Sequence, residues 1–348
     1  YSSRNLVDWK FVGTAFNEQS RPQWLPDGGI WAPCINRIGS KYVLYYSKSV
    51  WGGEWDAGIG VATSSSPTGP FTDCGNMFVS RGIGIQNCID PFYIEDGGRK
   101  YLFWGSFRGI YGAELTDDGL KLKPGVKPQQ VAGTFMEATY IKRRGGYYYL
   151  FGSAGTCCDG ERSTYRVTVG RSRSLFGPYT DRQGRPLLDN HYEVVLHRNQ
   201  RVIGPGHNAE FVSDAEGNDW MLYHGFGADT PDEGRKVWLD RIDWVDGWPH
   251  VMGNVPSAVA AAPVVDGMRN LTLSGLNPSH FEMNIEGKQT HLYTLRNSKG
   301  MEVCFTNFGA RIVSIMVPDR NGKMQDVVLS YDNIAQYADR EHFGSDFG

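Results

Sequence analysis

The sequence predicts an all-β protein: a five-bladed β-propeller whose first blade is incomplete, followed by part of a β-sandwich. Three observations predict it. Short runs of β-branched and aromatic residues bounded by Gly, Pro, Ser and Asp recur along all 348 residues, and few stretches carry the apolar period of a helix. The chain is rich in glycine (44) and in aromatics (10 Trp, 18 Tyr, 17 Phe), as short strands joined by tight turns require. The strand runs also repeat, four times, at a spacing of roughly 50 to 70 residues, the size of a propeller blade.

Each repeat opens with a small or acidic residue and Pro or Ala, continues as a strand, turns at glycine and returns as a Tyr-rich strand. Ala32-Pro33-Cys34-Ile35 leads through Gly39 to Lys41–Ser47. Asp90-Pro91-Phe92-Tyr93 leads through Gly97-Gly98 to Arg99–Ser106. Glu137-Ala138-Thr139-Tyr140 leads through Gly145-Gly146 to Tyr147–Ser153, and Asn208-Ala209-Glu210-Phe211 leads through Gly217 to Trp220–Gly225. The second halves repeat as well, Ser64–Asp73 matching Ser172–Asp181, and Ser3–Trp9 occupies the same place in the first blade. The propeller is therefore expected over 1–256. A linker of Ala, Val, Pro and Gly follows over 257–275, and a strand-rich segment over 276–348, with strands at Gln289–Leu295, Glu302–Thr306 and Ala310–Val317 and a turn at Asp319–Lys323.

A formal charge of −3, with 35 basic and 38 acidic residues interspersed, offers no stripe for nucleic acid, and no apolar run reaches the ~20 residues of a membrane helix. The six cysteines (Cys34, Cys74, Cys88, Cys157, Cys158, Cys304) form neither a zinc spacing nor a disulfide framework, and adjacent Cys157 and Cys158 read as packed thiols beside a functional loop. Lys142-Arg143-Arg144 reads as a solvated hairpin tip.

The repeat places Asp90 and Glu137 at one position of successive blades, with Ala32 and Asn208 in the others, at the start of the innermost strand facing the central cavity. Taken singly, Asp90 is a turn aspartate before proline and Glu137 half of an ion pair. Taken together they are two acids converging on one pocket, which suits glycoside hydrolysis. The apolar run Phe135-Met136 keeps Glu137 protonated as general acid, and Asp90, before Pro91, stays ionised. His207, in Gly204-Pro205-Gly206-His207, points at the axis as metal ligand or substrate contact, its glycines implying close backbone approach to something held there. Trp31, Trp104, Ser106 and Phe107 stack on sugar rings and bond their hydroxyls, or fill the space between blades. Asn87 binds a hydroxyl or caps a turn.

These residues resemble glycoside hydrolase family 43, most closely its endo-acting α-1,5-L-arabinanases. The resemblance rests on Gly29-Ile30-Trp31-Ala32-Pro33, Asn87-Cys88-Ile89-Asp90-Pro91, Phe103-Trp104-Gly105-Ser106-Phe107, Glu137-Ala138-Thr139-Tyr140-Ile141, Cys157-Cys158 with Ser163-Thr164-Tyr165, and Gly204–Asn208. It implies inverting hydrolysis of arabinan, with Glu137 as general acid and Asp90 tuning its pKa and orienting it. It also implies that His207 holds a central calcium or similar ion, partly through water. The general base of such enzymes is an aspartate at the start of the first blade, expected before Tyr1; Asp8 and Asp27 do not match it. Such a substrate implies a secreted, periplasmic or cell-surface location. Other readings are an exo-acting β-xylosidase or α-L-arabinofuranosidase acting on arabino- or xylo-oligosaccharides, and a carbohydrate-binding propeller without turnover. The segment 276–348, through Asn307-Phe308-Gly309-Ala310-Arg311 and Val317-Pro318-Asp319-Arg320-Asn321-Gly322, resembles the start of aldose 1-epimerases. The catalytic histidine and glutamate of those enzymes come later, so this part is expected to catalyse nothing alone. Both ends of the chain read as truncated, and neither partner chains nor oligomeric state are legible.

Overall fold

The computed structural model describes residues 1–258, 262–264, 272–297 and 299–339. Four antiparallel blades follow one another in the chain. The first is built from Gly29–Ile38, Lys41–Ser49, Gly58–Ser64 and Thr72–Val79, and the second from Phe92–Asp96, Arg99–Trp104, Ile110–Glu114 and Gln129–Ala132. The third uses Met136–Arg144, Tyr147–Ala154, Arg166–Ser172 and Glu193–Leu196. The fourth uses Val202–Gly206, Asp219–Gly227, Arg235–Val245 and Trp248–His250, with Val212–Ser213 as an added strand. A two-stranded ribbon, Ser2–Ser3 with Trp9–Lys10, precedes them. This is the five-bladed propeller type, with strands where the repeat puts them except in the fourth blade, where Asn208–Phe211 form no strand and lie between Val202–Gly206 and Val212–Ser213. The glycine turns sit between the paired strands, as between Ile38 and Lys41 or between Asp96 and Arg99.

The aromatic excess is spent between blades. Phe92 of the second blade packs edge-on against Tyr140 of the third (centroids 5.4 Å), which meets Phe211 of the fourth at 5.1 Å, and Tyr45 stacks on Tyr93 at 5.8 Å. Rings of 150 Å² or more buried in this way dominate the cohesion of a ring that has no single central core. Trp104 belongs to the same layer: fully buried, it lies 4.7 Å from Phe78. The expected stacking of Trp104 on sugar is thereby corrected, because its side chain is fully buried between blades and lines neither of the two cavities that meet at Glu137. The tip Lys142-Arg143-Arg144 is corrected too. Lys142 and Arg144 both reach the buried Asp219 of the fourth blade, at 3.1 and 3.4 Å, and Arg144 lies over Trp244.

The chain divides into two compact units, 1–213 with 217–263, and 214–216 with 264 onward. Most of the expected linker 257–275 lies outside the described residues. The second unit contains a hairpin, Asn284–Ile285 with Lys288–Gln289, and a four-stranded meander of Leu292–Arg296, Glu302–Thr306, Arg311–Pro318 and Met324–Asp326. Its turn at Asp319 closes through Asp319 N–H to the Lys323 carbonyl. Phe281, Cys304, Val313 and Ile334 form its core. Residues 340–348 of the expected sandwich lie outside the described residues.

Candidate active site

In or beside the innermost strand of each of the four blades the backbone carries the same irregularity. Ala32, Asp90, Ala138 and His207 all adopt left-handed φ (44°, 59°, 61° and 47°) although none is glycine, a conformation that costs on the order of 1 kcal/mol and persists where neighbours impose it. In three blades the neighbour is visible. The Asp90 N–H donates to Ser47 Oγ (2.8 Å), the His207 N–H to Ser153 Oγ (2.8 Å) and the Ala138 N–H to Asp90 Oδ2 (3.0 Å). Each bond ties one blade to the blade before it. The second blade has Gly105 where the first and third have Ser47 and Ser153, since Gly105 faces Ile89 as Ser47 faces Trp31 and Ser153 faces Glu137. The Asp90 carboxylate takes over the missing hydroxyl's task.

The repeat alignment is corrected by this pattern. Asp90 is equivalent to Ala138 and His207, so Glu137 stands one residue earlier than Asp90 in its strand and Asn208 one later. Glu137 and Asp90 still meet, because the Ala138 N–H joins them. Both carboxyls are buried, 9% and 6% exposed. Glu137 Oε1 accepts from the Tyr165 phenol (2.6 Å) and Oε2 from Ser106 Oγ (2.7 Å). Burial and then the neighbouring Asp90 charge raise the Glu137 pKa, against the pull of the two hydroxyls and of His207. Burial also pushes Asp90 up to about 7, with the Ala138 N–H as its one opposing influence. The expectation that Asp90 simply stays ionised is therefore corrected: burial disfavours its charge, and that charge, where present, raises the Glu137 pKa in turn.

Two cavities meet at Glu137. One, about 370 Å³, is lined by Trp31, Trp51, Glu54, Asn87, Ser106, Phe107 and the Gly155–Asp159 loop. The other, about 810 Å³, is the central cavity, where Asp90, His207 and Asn208 meet Trp9 and Arg235. Trp31, Trp51, Ile89, Glu137, Cys157 and Cys158 border both. Trp31, edge-on to the exposed Trp51, and Phe107 are thus wall residues as expected. Asn87 lines the smaller cavity while its Nδ2 donates to the Ser106 carbonyl (2.9 Å). Ser106 is buried with its hydroxyl on Glu137, so it holds the acid. Cys157 and Cys158 are wall residues more exposed than packed thiols.

His207 lines the central cavity, surrounded by protein yet reached by solvent, and burial keeps its imidazole neutral. His224 lies 6.1 Å from it, between Tyr165, on which it stacks at 5.8 Å, and Arg235. Among the described residues no group of three or more His, Cys, Asp or Glu side chains is placed to hold a metal. Beside His207, however, Asn208 Oδ1 is buried without a hydrogen-bond partner, an oxygen of the kind a hard cation takes. Tyr165 and His224 were not singled out from sequence. Tyr165 immediately precedes the third strand of its blade, 28 residues from the acid that it holds, and only its Ser163-Thr164-Tyr165 context marked it.

A propeller that brings two buried carboxyls, one of them doubly hydrogen-bonded, to the meeting point of two cavities has the construction of a glycoside hydrolase. The family model for glycosyl hydrolases family 43 matches residues 1–249, and that for aldose 1-epimerase matches 291–345. The chain belongs to glycoside hydrolase family 43. It is 32% identical over 286 residues to an extracellular exo-alpha-(1->5)-L-arabinofuranosidase of Cellvibrio japonicus, covering 72% of this chain and 79% of the relative. It is 34% identical over 228 residues to an extracellular endo-alpha-(1->5)-L-arabinanase of Bacillus subtilis, covering 63% and 68%. The structure of a Cellvibrio cellulosa alpha-L-arabinanase complexed with arabinohexaose superposes with a TM-score of 0.66 at 31% identity, covering 72% of this chain and 87% of that one.

Proposed function

We propose that the protein hydrolyses α-1,5-L-arabinofuranosidic bonds inside arabinan chains, with inversion. One observation carries the reading: Glu137 stands where the two cavities join, so sugar units seated in both flank a bond lying against its carboxyl. Glu137 protonates the leaving oxygen. Asp90 keeps that proton available at neutral pH and, through the Ala138 N–H, fixes the backbone that carries the acid. Trp31 and Phe107 supply apolar wall for the sugar faces. A further carboxylate activates the water. Asp8 is tied to Asn5 and lines neither cavity, and Asp27 lines neither, so neither fills that role.

Linear arabinan tests the reading. A ladder of arabino-oligosaccharides with xylan untouched is the expected outcome; arabinose alone points to exo action, and xylose to a different substrate. The extracellular naming of both relatives supports action outside the cytoplasm, and no helix among the described residues is long and apolar enough to cross a membrane.

His207 and the unpartnered Asn208 Oδ1 fit a hydrated cation such as calcium, which would stiffen the centre of the ring, with water completing its shell. Calcium at a hundredfold excess over its Kd adds about 2.7 kcal/mol to a site formed only in the folded protein. A chelator is accordingly expected to lower the thermal midpoint by several degrees, with recovery on adding calcium. An unchanged midpoint removes the ion.

A further inference from the structure

The Gly204-Pro205-Gly206 run suggests a ligand held against the backbone, yet the group it closes on is part of the chain. A Cβ on Gly206 would lie 2.2 Å from Tyr165 Cδ1, and one on Gly204, at φ 57°, 2.6 Å from Ser163 Cβ. His224 stacks on the other part of the same ring, nearly parallel at 15°. Two strands of the fourth blade thus enclose one phenol of the third, which is 1% exposed and lines neither cavity. Its hydroxyl ends on Glu137 Oε1.

The two oxygens of Glu137 are consequently unlike. Oε1 faces the buried side and meets a phenol that burial and the charges of Glu137 and Asp90 keep protonated, so it only donates. Oε2 faces Ser106, which lines the smaller cavity and whose hydroxyl rotates freely between donating and accepting. An oxygen that carries the acidic proton donates best to a partner that can turn to accept, and that partner is the serine.

Resting on the assignment of Glu137 as acid, we infer that Tyr165 is a positioning residue that reserves Oε1 and so places the transferable proton on Oε2, on the cavity side. Delivery follows without rearrangement of the carboxyl: the proton leaves Oε2 for the glycosidic oxygen as the bond from the anomeric carbon to that oxygen breaks. The resulting carboxylate then accepts from both hydroxyls, the arrangement seen here. Asp90, Tyr165, His207, Cys157 and Cys158 are the titratable groups whose charges bear on Glu137, and Tyr165 alone among them bonds its carboxyl directly.

Tyr165→Phe keeps the ring and its slot. On arabinan the full-length protein is expected to lose roughly tenfold or more in kcat, with KM within about twofold, while an aryl arabinofuranoside with a good leaving group is cleaved nearly as well as before. The phenol stabilises the charged carboxylate, so its removal raises the pKa of Glu137 and moves the alkaline limb of the pH profile to higher pH. A thermal midpoint shows whether the variant is folded. An unchanged kcat, or a loss with the alkaline limb unmoved, overturns the inference. If Glu137→Gln leaves arabinan hydrolysis intact, the assignment of the acid fails instead.

Discussion

Glu137→Gln lowers turnover of linear arabinan by about 10²- to 10⁴-fold, the range that general acid catalysis contributes, and leaves hydrolysis of a substrate with a good leaving group far less affected. The amide keeps the shape of the side chain and one oxygen for Tyr165 or Ser106, so the slot between the two cavities stays closed on the same walls. Only the transferable proton goes. A nitrophenolate departs without protonation, whereas the alkoxide of an arabinan chain does not, and the two substrates therefore separate loss of an acid from loss of binding. An equal fall on both would remove Glu137 from that role. Stability should move the other way. The Glu137 pKa is raised on folding, so the unfolded chain binds fewer protons than the folded one between its ordinary carboxyl pKa and the raised value. Folding stability is lost as pH rises through that window. Glu137→Gln escapes this loss, and its thermal midpoint relative to wild type should climb with pH, which pH-dependent calorimetry measures.

The blades were legible because a strand, a glycine turn and a Tyr-rich return strand leave a local record in the sequence. The carboxyl pair was legible because it recurs on that record. The exact register was not: Asp90-Pro91 and Glu137-Ala138 look alike as an acid followed by a small or cyclic residue, but the left-handed residue is the acid in one blade and the alanine in the other. That difference depends on which N–H finds a partner in the preceding blade, a long-range property. Trp104 and Trp31 are likewise indistinguishable as isolated tryptophans. One faces Phe78 and the other the cavities, because they occupy different strands of their blades. The Gly204–Gly206 run correctly announced a close approach, and only the fold identified the approaching group as Tyr165. Each misreading concerns what a residue meets across a blade boundary, which strand periodicity does not encode.

Asp90→Asn separates the two tasks that the structure gives to Asp90. The amide oxygen still accepts from the Ala138 N–H, so the left-handed turn that carries Glu137 is kept, while the charge beside Glu137 is lost. Without that charge the pKa of Glu137 falls, less of it is protonated at neutral pH, and the alkaline limb of the activity profile moves to lower pH, opposite to the shift expected for Tyr165→Phe. Turnover of arabinan at neutral pH is expected to drop roughly ten- to a hundredfold. Asp90→Ala removes the acceptor as well, leaving a buried N–H unpaired at a cost of about 1 to 3 kcal/mol; it should lose more activity than Asp90→Asn and unfold at lower temperature. Gly105→Ser does not repair it, because a Cβ at Gly105 meets the Gly109 carbonyl at 2.2 Å, and the second blade therefore has no room for the serine that serves the first and third. Burial raises Asp90 to about 7, so the folded state resists its ionisation and stability falls between about pH 4 and pH 7. Asp90→Asn should match wild type at the acid end of that window and surpass it progressively toward neutral pH, as its activity declines. If the variant keeps the wild-type alkaline limb, Asp90 serves the backbone alone and the charge coupling between the two carboxyls is refuted.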